Sequence, residues 1–127
     1  MRCHHAEVDS TVLVVDDHAE FRSVARAVLE SDGFRVVGEA ADGAEALARA
    51  EQLRPGVVLL DVQLPDIDGF AVAALLAAAG AAAPDVVLVS TRPAGAYRRR
   101  LATTSARGFL SKADLSGPAL RQLLGRG

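Results

Sequence analysis

At 127 residues the chain is long enough for one domain with a substantial core and too short for two of ordinary size. Half of the residues are hydrophobic, yet the aromatic ones are only four Phe and one Tyr with no Trp, so the core must be built from Val, Leu and Ala. A formal net charge of −2 argues against general attraction to nucleic acid or anionic membrane, and a single cysteine excludes an internal disulfide. A reduced, cytoplasmic setting is expected. No apolar run approaches bilayer length, and the leader MRCHHAEVDS lacks the hydrophobic stretch of a secretion signal. Residues 1–10, with Cys3, His4 and His5, are expected to be a disordered leader rather than a metal site, and 11–127 one domain.

Val12 to Val15 is an unbroken apolar run ending in Asp16 and Asp17. Ala19 to Ser31 follows as a helix, with Phe21, Val24, Ala25, Val28 and Leu29 at inward spacing and Gly33 closing it in the left-handed region. Phe34 to Gly38 reads as a short strand. Asp42 and Glu45 have capping-box spacing and open a helix that carries Ala46, Leu47, Ala50 and Leu53 inward and stops before Pro55. The next strand, Val57 to Leu60, has no polar face, as expected of a central strand covered on both sides, and leads into Asp61.

Beyond the loop marked by Pro65, a third helix is predicted over Gly69 to Ala79, in a stretch that carries no charge up to Pro84. Val86 to Val89 is a strand ending in Ser90. A weaker helix from Ala94 to about Thr103 has Ala94, Tyr97 and Leu101 on one side and Arg98, Arg99 and Arg100 as a solvated face. Gly108 to Leu110 forms a fifth strand ending near Lys112. Ser116 and Pro118 start a last helix with Leu120, Leu123 and Leu124 inward. Five strands alternating with five helices predict a doubly wound α/β domain, flavodoxin-like, with a parallel sheet of order 2-1-3-4-5.

Polar groups close four of the apolar strands: Asp16 and Asp17, Asp61, Ser90, and Lys112. In the 2-1-3-4-5 order, strands one and three are neighbours at the switch point, where such sheets bind their ligands. Crowded carboxylates raise one another's pKa unless a cation sits among them, and all-oxygen ligands favour a hard ion, Mg²⁺ above all. A metal, a free carboxylate and an ammonium together suit phosphoryl transfer, with Asp61 as nucleophile, Ser90 as hydrogen-bond donor and an aspartyl phosphate as product.

The motifs VLVVDDH (12–18), LLDVQLPDIDG (59–69), VVLVST (86–91) and GFLSK (108–112) fall in order, each at a strand end. Asp61 follows Asp17 by 44 residues and Lys112 follows Ser90 by 22. From Thr11 to Leu124 the chain thereby resembles the CheY-like receiver domains of two-component response regulators. Its wording is nearest to those that precede a LuxR/NarL-type helix-turn-helix. The resemblance implies a phosphoacceptor Asp61. It also implies Mg²⁺ held directly by Asp17, Asp61 and the backbone carbonyl of Gln63, and by Asp16 through a water. Ser90 would be the switch hydroxyl, Lys112 the phosphate-binding lysine and Phe109 the switch aromatic that turns inward when Ser90 moves. It further implies a sensor histidine kinase or phosphotransfer protein as donor, a downstream protein target, and a homodimer through the first and fifth helices as an option. The chain would be a phosphoacceptor rather than a turnover enzyme. Two departures stand out: Ala113 replaces the proline, often cis-bonded, that usually follows the lysine, and no DNA-binding domain is expected within these 127 residues, so output is expected through protein contact unless the chain is the receiver part of a transcriptional regulator.

Blander readings compete. A strand-end Asp is commonly a turn or cap residue, Ser90 alone could cap its loop, Phe109 alone could be core, and His18 could simply start the first helix. Three rival functions compete with the receiver reading: a degenerate receiver acting as a phosphorylation-independent scaffold, a haloacid-dehalogenase-type phosphatase, and a flavodoxin-like electron carrier. The phosphatase would need an Asp where Gln63 stands. The electron carrier would need a Ser/Thr/Gly-rich phosphate loop where Asp16, Asp17 and His18 stand.

Overall fold

A computed structural model of the chain describes residues 11–125. The expected leader with Cys3, His4 and His5 lies outside the described residues. Five strands, β1 (Thr11–Val15), β2 (Arg35–Ala40), β3 (Val57–Asp61), β4 (Asp85–Ser90) and β5 (Gly108–Ser111), form one parallel sheet in the order β2-β1-β3-β4-β5. The helices are α1 (Ala19–Glu30), α2 (Gly43–Leu53), α3 (Gly69–Ala77), α4 (Arg98–Thr103) and α5 (Gly117–Leu123). The predicted class and strand order therefore hold.

Strand alternation splits the sheet's apolar residues between two cores. Val12, Val14, Val57, Leu59, Val87 and Val89 pack with α1 and α5 through Ala25, Leu29, Leu120 and Leu124. Leu13, Val15, Val58, Leu60 and Leu88 pack on the other face with Ala46, Ala50, Val72, Ala73, Leu76 and Tyr97. That two-sided burial is why β1 and β3 carry no polar face. Leu59 is completely buried. Leu59→Ala is expected to lower the unfolding free energy by about 2–5 kcal/mol in urea titration, since the surrounding β-strands cannot collapse onto the void.

The caps follow the sequence signals. The Asp42 carboxylate accepts the Glu45 N–H at 2.8 Å, while the Glu45 carboxylate reaches back to the Ala41 N–H at 2.7 Å. Ser116 caps α5 through the Ala119 N–H at 3.1 Å. Arg54 takes a left-handed conformation (φ 49°) at the end of α2, where the following Pro55 disfavours another helical residue.

Several details differ from the sequence reading. Val24 is 56% exposed, because Ala25 and Leu29 form the stripe that faces the sheet and Val24 falls to its side. β2 runs on to Ala40: the β1–β2 register shifts between Val12 and Leu13, and Gly38 is a strand residue at this irregularity. A Cβ there would lie 2.7 Å from Leu53 Cδ1, so Gly38 serves a close approach and not a strand end. α3 ends at Ala77, and Gly80–Ala82 adds a separate 3₁₀ turn. The fourth helical stretch is also in two pieces, a 3₁₀ turn at Ala94–Tyr97 and then α4. The break at Tyr97 (φ −121°, ψ 22°) interrupts the helical phase, so Tyr97 is buried while Ala94 is exposed. Among the described residues no helix is long and apolar enough to cross a membrane.

Candidate functional site

Strand register assembles the site at the carboxyl end of the sheet. Val15 pairs with Leu60, so Asp16 and Asp61 follow side by side on neighbouring strands. Asp61 pairs with Val89 and Ser90 with Ser111, which brings Ser90 and Lys112 to the same edge. Asp16, Asp61 and Ser90 are buried, with 0, 4 and 1% of their surfaces exposed, whereas Asp17 is open to solvent. Buried carboxylates are rare without a partner that neutralises them.

Lys112 is that partner. Its ammonium pairs closely with Asp16 Oδ2, lies 3.5 Å from Asp61 Oδ2, and stands 4.4 Å from the centre of the Phe21 ring. Asp61 Oδ1 accepts the Gln63 N–H at 3.1 Å. Burial pushes the Asp61 carboxyl up to about 6, and the Asp16 charge adds to the rise; the Gln63 N–H and the Lys112 ammonium oppose it. The Lys112–Ala113 peptide is trans, and the loop continues as a 3₁₀ turn over Lys112–Asp114. Replacement of the usual proline thus leaves the lysine against the two carboxylates.

Ligand atoms of Asp16, Asp17, His18 and Asp61 lie within 4.8 Å of one another. The three carboxylates and the Gln63 main chain are an oxygen-donor set suited to a hard divalent cation, which would also relieve the repulsion between Asp16 and Asp61. His18 was not singled out as a site residue by its sequence position. Its Nδ1 lies 3.1 Å from Asp16 Oδ1 and 3.0 Å from Asp17 Oδ1, and its main-chain N–H donates to Asp16 Oδ1 at 2.8 Å. Arg22 was missed as well: it donates to the Asp16 carbonyl at 2.5 Å and pairs with Glu39 at 2.9 Å, tying α1 and β2 to the turn after β1. The Glu39 carboxyl is held below its usual value by Arg22 and Arg26, against the opposing effect of burial.

Asp66 fixes the loop that follows Asp61. Its two carboxylate oxygens accept the Gly43 and Ala44 N–H groups at 2.7 and 2.9 Å, at the start of α2. These bonds hold the Asp66 carboxyl below its usual value. The associated stability is present above the unfolded-state pKa and is lost as pH falls through the lowered folded value. Asp66→Asn should therefore lower the urea midpoint at neutral pH, with the deficit shrinking in acid; a constant deficit would argue against this account.

Ser90 and Phe109 occupy the second layer of the site. Ser90 Oγ is hydrogen-bonded to the Tyr97 hydroxyl at 2.9 Å and accepts the Arg92 N–H at 3.0 Å. The Tyr97 ring lies between those of Phe70 and Phe109, with centroids 5.8 Å away on each side. Phe109 thus meets the site through Tyr97. The basic run is more than a solvated face: Arg100 pairs with Asp68 at 2.7 Å and stacks 4.3 Å from the centre of the Phe70 ring.

Comparison with known proteins agrees with this geometry. The family model of the response regulator receiver domain matches residues 12–123. The response regulator GacA of Pseudomonas protegens is 39% identical over 104 residues, covering 80% of this chain and 47% of that protein. The chain spans about half the length of the curated relatives it matches. The solved LuxR-family two-component response regulator from Aurantimonas sp. SI85-9A1 superposes with a TM-score of 0.79 at 26% identity, covering 91% of this chain and 86% of that one. The response regulator domain of Thermotoga maritima CheB gives 0.77 at 26% identity, with 91 and 94% covered. Matched along nearly its whole described length, and with acidic strand ends facing a lysine, the chain belongs to the response regulator receiver domains of two-component signalling.

Proposed function

We propose that this domain, spanning residues 11–127, accepts a phosphoryl group on Asp61 in a Mg²⁺-dependent reaction and so switches a protein-binding surface. The convergence of Asp16, Asp17 and Asp61 at one end of the sheet, with Lys112 against Asp16 and Asp61, carries this reading. Asp17, Asp61 and the Gln63 carbonyl would hold the ion directly, and Asp16 through a water. Bound there, Mg²⁺ supplies positive charge to the phosphoryl oxygens during transfer.

The remaining chemistry belongs to the chain. The Asp61 carboxylate, ionised above pH about 6, attacks phosphorus while the donor's leaving group departs in line. Lys112 is already 3.5 Å from Asp61 Oδ2, and shifts from Asp16 to a phosphoryl oxygen as negative charge builds there. The Ser90 hydroxyl rotates to donate to another phosphoryl oxygen. Asp61 is itself nearly shut off from solvent, with 4% of its surface exposed.

The donor is the phosphohistidine of a sensor kinase or phosphotransfer protein. The recipient of the signal is a protein partner, with a homodimer as one form of output, and the setting is cytoplasmic. The domain promotes its own loading and unloading and does not turn over a substrate. Intact mass after incubation with Mg²⁺ and acetyl phosphate should show a single phosphoryl adduct that EDTA prevents. A chain that binds Mg²⁺ yet stays unmodified, beside a receiver that reacts in parallel, would overturn the reading.

A further inference from the structure

The Ser90 hydroxyl is already engaged. In the resting structure it is bonded to the Tyr97 hydroxyl and accepts the Arg92 N–H, at the end of the strand beside the one that carries Asp61. A serine side chain points its oxygen to one side at a time, so rotation towards a phosphoryl group on Asp61 takes it away from Tyr97. The Tyr97 hydroxyl, on a residue that is 8% exposed, then loses its partner inside the core. A buried hydroxyl without a partner is unfavourable, and the ring must move until the hydroxyl finds another.

Two further observations say what moves with it. Tyr97 is the one buried residue between Ala94 and Thr103. α4 has six residues and begins without a side-chain cap, so its hold on the sheet rests on Tyr97, on the half-buried Leu101 and on the pairing of Arg100 with Asp68 and the Phe70 ring at its outer side. Beside the ring lies an open, polar cleft lined by Gln63, Asp68, Arg92 and Arg100, which offers the displaced hydroxyl new partners. Phe109 has no polar atom with which to sense Ser90, and it follows Tyr97 because their rings touch.

We propose that Tyr97 is the positioning residue of the switch: its hydroxyl holds Ser90 in the resting rotamer, and loss of that hydrogen bond releases Tyr97 and the Ala94–Thr103 segment from the core. This rests on Asp61 being the phosphoacceptor. The rearranged surface is then the outer face of α4, and the trigger is the exchange of one hydrogen bond.

The chain reports on this residue directly, because Tyr97 is its only tyrosine and it has no tryptophan. The test is tyrosine fluorescence with acrylamide quenching of the full chain in Mg²⁺, before and after adding beryllium trifluoride as the phosphoryl mimic. Fluorine NMR of the bound mimic reports loading independently. On loading, quenching of wild-type Tyr97 should rise severalfold. In Ser90→Ala the Tyr97 signal should differ from wild type before loading and scarcely move upon it, and Ser90→Thr should restore the wild-type response. A purely structural tyrosine would respond alike in all three. Loading by fluorine NMR with an unmoved Tyr97 signal overturns the proposal and leaves the phosphoacceptor reading standing. Absence of loading overturns both, and the fluorine spectrum tells the two failures apart.

Discussion

Asp61→Asn is expected to abolish the phosphoryl adduct completely and, in the absence of metal, to give a more stable protein than wild type at pH 8. The first effect follows from removing the carboxylate proposed as the nucleophile, since an amide oxygen does not form the mixed anhydride. The second follows from the cost of keeping a charged carboxylate in place. Asp61 is buried beside Asp16, and its folded-state pKa stands at about 6, above the unfolded-state value of 3.8. For a carboxyl shifted in that direction the native state binds the proton more tightly. The group's favourable contribution is complete below the unfolded pKa and is lost as pH rises towards and through about 6. An asparagine has no such dependence. The variant should therefore gain on wild type between pH 4 and pH 6–7, by on the order of 1–2 kcal/mol. Urea unfolding in EDTA at pH 4.5 and 8 checks the sign. Addition of Mg²⁺ at pH 8 should raise the wild-type midpoint more than the variant's, because only wild type retains all three carboxylates. A variant less stable than wild type at both pH values would show that Asp61 stabilises the resting fold, contrary to this account.

The same residues explain how far the sequence could be read. β1 and β3 were legible because strands covered on both faces must be apolar throughout, and a charged residue at their ends therefore stands out. Asp16, Asp17, Asp61, Ser90 and Lys112 were visible on that ground, and a parallel sheet brings strand ends together without any further information. The Ser90–Tyr97 bond was not visible, although helical spacing had placed Tyr97 inward. Its hydroxyl partner depends on the path of a 3₁₀ turn that breaks the expected helix. The contacts of His18 and Arg22 were not legible for a similar reason: His18 reads as a helix start and Arg22 lies within an amphipathic helix, and their bonds to Asp16 and Asp17 arise only from how that helix leaves β1. Val24 shows the converse error. An apolar arc wider than the sheet-facing stripe marks a helix's inner side correctly but overstates how many of its residues are buried.

Gly69 was legible only as a helix start, yet its replacement should be among the most damaging single changes near the site. Its first role is steric. A Cβ on Gly69 would overlap the Asp61 carbonyl oxygen and lie 2.7 Å from Val62 Cα and 3.0 Å from Val62 O, all of them main-chain atoms that cannot swing aside. Its second role is to donate from its N–H to the Val62 carbonyl at 2.8 Å, a bond that fastens the first turn of α3 to the chain just after Asp61. Gly69→Ala must push α3 away, displace Asp61, or both. Overpacking of this kind costs about 1–3 kcal/mol, and more where only backbone can yield. The chemical loss should exceed the stability loss in proportion, since a shift of about 1 Å in a reacting group can slow a reaction roughly 100-fold. We expect Gly69→Ala to remain folded with a lower urea midpoint and to form the adduct from acetyl phosphate on the order of 100-fold more slowly. Gly95→Ala is the control: a Cβ there meets nothing within 4 Å, so both readings should stay near wild type. If Gly69→Ala lost stability but loaded at the wild-type rate, α3 alone would have absorbed the methyl group. The position of Asp61 would then be fixed by β3 and not by the helix packed against its end.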